Sequence, residues 1–423
     1  MGLLTLGHAA ARRRCLQAAA AALVLGAATA RPASAAPDLT VSVDLRAVAA
    51  DATPSFLDGG LGKFRHGESG FELGRLRLAL DQSLGETLEL HLDASSWGDD
   101  DRNPIDLTEA FAEWRPVPRS DFRTRVRAGL FYSPGSLENR AEGWESPYSI
   151  SFSALNTWIA EEIRTVGVEA SLDHLGRLSG GAHDLGAFVG VYGWNDPAGV
   201  LIAQHGFALH DRQTLLFGRV GGTAPAPVSN RQLFHEIDGR PGYYVGARWR
   251  WLDRLEARAM HYDNRGDPTS AKPSIADFAW LTRYDSVGLR GEAGERLTLI
   301  AQWLDGYTAV QPPFGRFEWT FSAWYLLANT HAGPYGATLR YDEFRRDNVV
   351  NAATPTPARD AGSAWTVAWT YGRANSPWRL AVEASRVHSR SDDRLAYGMP
   401  ALADESRLEV SLRYRFTSRP GLE

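Results

Sequence analysis

Hydrophobic and polar residues alternate with a period of two along most of the chain. Leu408, Val410, Leu412, Tyr414 and Phe416 interleave with Arg407, Glu409, Ser411, Arg413 and Arg415. Tyr243, Val245, Ala247, Trp249 and Trp251 interleave with Gly246, Arg248 and Arg250, and Leu76, Leu78 and Leu80 with Arg75 and Arg77. Successive side chains of a strand point to opposite faces, so each segment reads as a strand with one apolar and one charged face. The pattern predicts strands over 39–48, 71–80, 86–95, 108–116, 123–132, 163–174, 184–194 and 242–251. It continues over 254–263, 277–290, 295–304, 317–328, 334–343, 363–372, 378–388 and 406–416. This is an even set of about 16, each near the length that crosses a bilayer when tilted.

The connections alternate in length. Short turns fall at 81–85, 117–121, 175–183, 252–253, 291–294, 329–333 and 373–377. Long loops fall at 49–70, 96–107, 133–162, 195–241, 264–276, 305–316, 344–362 and 389–405. A barrel inserted in one orientation has short periplasmic turns and long external loops. A soluble sandwich, jelly roll or propeller has no reason to sort loop length by end, and would need a second layer over its charged faces. A closed barrel with a wet interior satisfies both faces and leaves no open edge. Aromatics on the apolar parity (Trp114, Tyr132, Trp194, Trp251, Phe317, Trp319, Trp365, Tyr371, Trp378, Tyr414 and Phe416) read as girdles at the two membrane interfaces. The expected fold is an all-β, transmembrane antiparallel β-barrel, placed in lipid in the cell outer membrane.

Composition narrows the alternatives. With mean hydropathy −0.29, the chain lacks the runs of roughly 20 apolar residues that a helical membrane bundle needs. Its 44% hydrophobic and 11% aromatic content excludes wholesale disorder. The single cysteine, Cys15, excludes a disulfide scaffold and a cysteine-based zinc site. Residues 1–35 read as a cleaved signal peptide: Arg12, Arg13 and Arg14, an apolar stretch from Leu16 to Thr29, and a small-residue cleavage site at Ala33-Ser34-Ala35. The arginine run also fits a twin-arginine leader loosely. Residues 36–423 then form one barrel domain. Losing the leader's arginines makes the mature chain more acidic than the whole chain's −5, which argues against a nucleic-acid partner.

If the apolar parity faces lipid, the other parity faces a pore. It gathers more arginines than carboxylates, and Arg75, Arg77, Arg123, Arg125, Arg127, Arg248, Arg250, Arg340 and Arg413 are the candidate pore-lining and substrate residues. Guanidinium forks along a wall draw anionic solutes; alternatively, arginine and carboxylate rows pair across strands and stiffen the barrel. Loop 133–162 is the candidate constriction. Burying Trp144, Tyr148, Phe152 and Trp158 inside the barrel would leave Glu138, Arg140, Glu142 and Glu145 at its neck, whereas an external cap or a trimer contact is the alternative. Its stretch 153–164 has helical character, and Leu201 to Gly218 in the fourth loop reads as an extra hairpin in or over the mouth. No nucleophile elbow, HExxH, P-loop or dinucleotide fingerprint occurs. His205, His210 and Asp211 form the only tight histidine group. No catalytic residue, cofactor or metal is therefore expected.

Four stretches, Phe71-Glu-Leu-Gly-Arg-Leu-Arg-Leu-Ala-Leu80, Leu84-Gly-Glu-Thr-Leu-Glu-Leu90, Leu107-Thr-Glu-Ala-Phe-Ala-Glu-Trp114 and Arg127-Ala-Gly-Leu-Phe-Tyr-Ser-Pro-Gly-Ser-Leu-Glu138, resemble the opening strands and the strand before the inward-folded loop of the phosphate-selective porin O/P family. The resemblance covers about residues 39–175, and the remainder only in architecture. It implies a 16-stranded, homotrimeric outer-membrane porin for passive diffusion of small hydrophilic solutes, with a slight preference for anions. Phosphate-specific members use lysine clusters, whereas this chain has only Lys63 and Lys272, so phosphate specificity is not implied. A channel specific for acidic oligosaccharides would use the same arginine-rich wall, and an outer-membrane barrel enzyme is the remaining alternative.

Overall fold

The computed structural model describes residues 36–98, 104–220, 231–275, 277–352, 358–373 and 376–418. The expected signal peptide lies outside them. Sixteen antiparallel strands close into a barrel in chain order, the first pairing with the last. They are β1 (Asp38–Asp51), β2 (Gly70–Leu84), β3 (Leu88–Ser96), β4 (Asp106–Trp114), β5 (Phe122–Tyr132), β6 (Arg164–Leu175), β7 (His183–Gly193) and β8 (Gly242–Trp251). The second half comprises β9 (Leu255–Asp263), β10 (Leu281–Ala293), β11 (Leu297–Val310), β12 (Phe317–Ala332), β13 (Tyr335–Asn351), β14 (Arg359–Tyr371), β15 (Trp378–Ser391) and β16 (Leu402–Thr417). Every strand expected from the alternation is present, and closure leaves no strand unpaired on either side.

The outer face is apolar where lipid meets it: Leu45, Val168, Val191, Val287, Leu326, Trp365, Trp378 and Phe416 are all exposed. Short turns lie at the end shared by the two termini, which the expected orientation makes periplasmic. Long loops lie at the other. The lumen departs from the expected wet interior, because three loops turn into it. A nine-residue helix, α1 (Ala154–Glu162), stands inside the barrel with every residue buried. Its N-terminus is capped from outside the helix: Glu138 accepts the Ser153 N–H (2.9 Å) and Asp342 on β13 accepts the Ala154 N–H (3.0 Å). Carboxylates there meet the positive end of the helix dipole.

The fourth loop differs from its expected hairpin. It begins as a short helix, α2 (Val200–His205), continues as extended chain, and only then pairs Arg219–Val220 with Arg231–Gln232. Glu162 at the end of α1 accepts N–H bonds from Leu201 (2.7 Å), Gly199 and Ile202 (both 3.2 Å), joining the two loops. Burial pushes the Glu162 carboxyl up to about 8, against the lowering effect of those donors.

Two groups of aromatics do not form girdles. Trp319 is 9% exposed, and Phe321, Tyr325 and Leu327 beside it on β12 are buried. This richer apolar parity faces inward, onto α1: the rings of Trp158 and Phe321 are 4.8 Å apart. Tyr132 is buried and Trp194 half-buried, both covered by loop residues. Trp114, Trp251, Trp365, Tyr371, Trp378, Tyr414 and Phe416 are exposed on the outer wall.

Candidate functional site: the lumen and its constriction

The third loop folds inward and packs. Trp144 stacks on Tyr132 at 4.2 Å, and Trp158 lies edge-on to Tyr284 at 5.3 Å. Tyr192, Tyr244, Tyr262, Tyr284 and Tyr325 face it from the wall, all buried. The extracellular half of the lumen is therefore packed protein. Wall arginines at that level are enclosed, with Arg46 at 5%, Arg75 and Arg407 at 4% and Arg340 at 0% exposure.

Their charges are matched by carboxylates from the wall and the loops. Arg340 pairs with Glu138 (2.9 Å) and Asp342 (2.8 Å) and donates to the carbonyls of Ser151 (2.7 Å) and Phe152 (2.9 Å). Arg46 joins Asp44, Asp211 and Glu409. Burial raises the Asp211 carboxyl, but Arg46 and Arg65 outweigh it and hold the group well below the usual range. Lys63 of the first loop pairs with Asp360 at 2.8 Å. His205 and His210 approach Glu161 at 3.9 and 3.0 Å and stack with Phe56.

Below α1, segment 142–145 is held by arginines of β2 and β16. Arg75 donates to the Gly143 carbonyl (2.9 Å) and meets Glu145 (3.3 Å). Arg413 also pairs with Glu145, Arg415 with Glu142 (2.6 Å), and Arg77 with Asp93 (2.5 Å). A cavity of about 30 Å³ among Asp44, Arg46, Glu145, Asp211, Arg379 and Arg413 has room for roughly one water.

Toward the short-turn end the lumen opens. Side-chain exposure reaches 30% at Arg123, 29% at Arg125, 38% at Arg140 and 48% at Glu142. Arg123 and Arg248 share Asp173, Arg125 and Arg127 share Glu169, and Arg140 meets Glu256 at 2.9 Å. Arg250 has no ion pair among the described residues, and its Nε has no partner. Beside them, at the β8–β9 and β10–β11 turns, a vestibule of about 670 Å³ is lined by Tyr148, Arg254, Arg290, Glu292, Glu295 and His331.

Of the candidate residues, the structure thus brings Arg75, Arg77, Arg413, Glu142, Trp144 and Glu145 together at the neck. It places Arg123, Arg125, Arg127, Arg248, Arg250 and Arg140 around the open end, and seals Arg340 with Glu138 inside the packed half. Asp360 and Glu162, which complete the packed half, carried no sequence signal beyond their charge, and Asp211 was marked only by its place beside His210. Asp196, Glu236 and Asp238 put carboxylate oxygens within 4.8 Å of one another, as a cation site would. N–H groups of Ile237, Asp238 and Trp194 already bond to Asp196 and Glu236.

A closed barrel with an apolar outside, short turns at one end and a loop folded into its lumen is a porin-type outer-membrane barrel. No protein-family model and no curated protein matches the sequence. Solved structures do match in fold. The outer membrane channel DcaP of Acinetobacter baumannii superposes with TM-score 0.54 at 12% identity, over 90% of this chain and 97% of that one. An anion-selective porin from Comamonas acidovorans gives 0.51 at 14%, over 90% and 100%. OmpT, an outer membrane protein of Vibrio cholerae, gives 0.51 at 10%, over 92% and 99%.

Proposed function

We propose that the chain is an outer-membrane porin that passes small hydrophilic solutes by passive diffusion, with a slight preference for anions. The observation that carries this reading is the cationic open end: Arg123, Arg125 and Arg140 stand part-exposed beside a constriction held by further arginines. Guanidinium groups lining a narrow path favour anions over cations. The motif resemblance supports membership of the phosphate-selective porin O/P family and a homotrimer. Cleavage of 1–35 precedes insertion. Segment 142–145, with Glu142, Trp144 and Glu145 held by Arg75, Arg77 and Arg413, is the constriction; Arg140 stands on its open side, and Glu138 anchors the loop above it.

A second reading is favoured by the packed extracellular half: a substrate-specific channel that opens for an acidic oligosaccharide. Conductance of the refolded protein in planar bilayers under a salt gradient tests both. Discrete steps with an anion-directed reversal potential support the porin. Steps that appear only with added oligogalacturonate support the specific channel. A folded barrel silent in both conditions refutes both readings.

A further inference from the structure

The barrel wall is interrupted at its extracellular end between β4 and β5. These strands pair only from Ala110↔Leu130 to Trp114↔Val126, whereas β5 and β6 pair as far as Tyr132↔Arg164. The carbonyls of Leu107 and Thr108 are therefore left without a β5 partner. The fourth loop fills the slot from the inside out. His210, in the lumen, accepts the Phe152 N–H through its carbonyl. Gln213 then meets Tyr132, the Thr214 N–H reaches the Ala160 carbonyl, and the Leu216 N–H bonds to the Leu107 carbonyl at 3.0 Å. Beyond that point Leu216, Val220, Leu233 and Phe234 pack with Leu130, against Leu107, Ala110 and Val166. By strand alternation Leu130 and Val166 belong to the outer face. The next outward pair, Val168 and Val191, is 51% and 53% exposed where lipid would lie. The slot thus opens at the upper edge of the lipid-facing surface.

Arg164 sits in it. Strand alternation gives Arg164 the outward parity of Val166 and Val168, yet it is wholly buried beneath the fourth loop. It donates to the carbonyls of Leu107, Thr108 (2.9 Å) and Thr214 and lies between the rings of Tyr132 (4.9 Å) and Phe234 (4.8 Å). No carboxylate pairs with it among the described residues, and its Nε has no partner. Two other fully buried wall arginines have carboxylates: Arg340 has Glu138 and Asp342, and Arg346 has Asp393. A buried guanidinium without counter-charge, flanked by rings and an apolar trough, suits an anion that carries a hydrocarbon tail.

We propose that this slot is a lateral binding site for a single-tailed anionic amphiphile, entered from the outer leaflet when chain 211–217 swings aside. The head group takes Arg164, and the tail lies along Leu107, Leu130, Val166 and Phe234 in the place that Leu216 now fills. This route is independent of solute diffusion along the barrel axis.

The test is a disulfide between Leu107→Cys and Leu216→Cys in a Cys15→Ser background, formed in the folded protein in nanodiscs. The 3.0 Å amide–carbonyl contact brings these positions within bridging reach. The probe is dansyl-labelled undecanoate, with its methyl ester as the uncharged control. The reduced protein is expected to bind the carboxylate saturably, with blue-shifted fluorescence, and oxidation to weaken binding at least tenfold. Arg164→Gln is expected to weaken the carboxylate tenfold and leave the ester unchanged. Equal binding by the oxidised and reduced forms, or equal affinity for carboxylate and ester, overturns the proposal. The disulfide comparison retains Arg164, so it decides the matter even if Arg164→Gln does not fold.

Discussion

Replacing Arg340 by Met should unlock the third loop. The methionine keeps the apolar stem but removes the guanidinium that neutralises Glu138 and Asp342 and binds the carbonyls of Ser151 and Phe152. Both carboxylates are wholly enclosed, at 0% side-chain exposure, and neither can turn to water without moving the loop. Removing one partner from a buried ion pair costs about 3–5 kcal/mol, because the charge left behind is uncompensated. At about 1.4 kcal/mol per factor of ten, the packed arrangement should lose roughly two to three orders of magnitude relative to a displaced loop. Amide hydrogen exchange over 149–157 should accelerate by that factor, and bilayer recordings should show larger or more frequent openings. Adding Glu138→Gln removes one of the naked charges and should restore part of the protection. A folded, heat-modifiable Arg340→Met barrel with unchanged exchange over 149–157 and unchanged conductance would falsify the argument that this network holds the loop.

Other perturbations address different parts of the lumen. Trp158→Ala removes a wholly buried indole between Phe321 and Tyr284 and should cost about 3–5 kcal/mol, read as lost exchange protection across α1; unaltered protection would mean that α1 does not depend on this packing. Changing Arg123 and Arg125 together to Gln should move the reversal potential toward cation selectivity with the barrel intact, and an unmoved potential would show that these side chains lie off the ion path. Burial holds His205 at about 4 against its ordinary 6.5, despite Glu161 and Asp360 and with Lys63 and His210 opposing protonation. An unfolded loop binds the proton that the packed loop refuses, so stability is full above pH 6.5 and declines as pH falls toward 4, by about 3 kcal/mol at the lower end. Exchange across 200–210 should quicken over that window, and His205→Gln should flatten its share of the dependence.

The strands were legible because two different solvents act on one wall. Lipid outside and charge inside impose a period of two on nearly every segment, and Leu408 to Phe416 shows it without interruption. Alternation states which side a residue takes, but not what fills that side. On β12 the more apolar parity (Trp319, Phe321, Tyr325, Leu327) faces inward, because α1 has replaced water in the lumen there. Tyr132 has the outward parity of Leu130, but β4 stops short beside it and the fourth loop covers it.

The arginines divide in the same way. Arg75, Arg77, Arg340 and Arg413 could be placed on the inner wall from their own neighbours in sequence. Whether each meets water or a carboxylate depends on distant residues: Arg340 on Glu138, 202 positions away, and Arg413 on Glu145, 268 positions away. Lys63 likewise finds Asp360 across 297 positions. In each pair one member (Glu138, Glu145 or Lys63) comes from a loop, where no periodicity marks which charge will turn inward. A guanidinium on an inner wall needs either solvent or a counter-charge. An arginine-rich parity followed by a long, acid-bearing aromatic loop therefore points to a lumen closed by ion pairs as readily as to a wet one. The part-exposed Arg123, Arg125 and Arg140 lie toward the end that the inserted loops leave open. Loop insertion, more than wall composition, decides which arginines remain free to meet a solute.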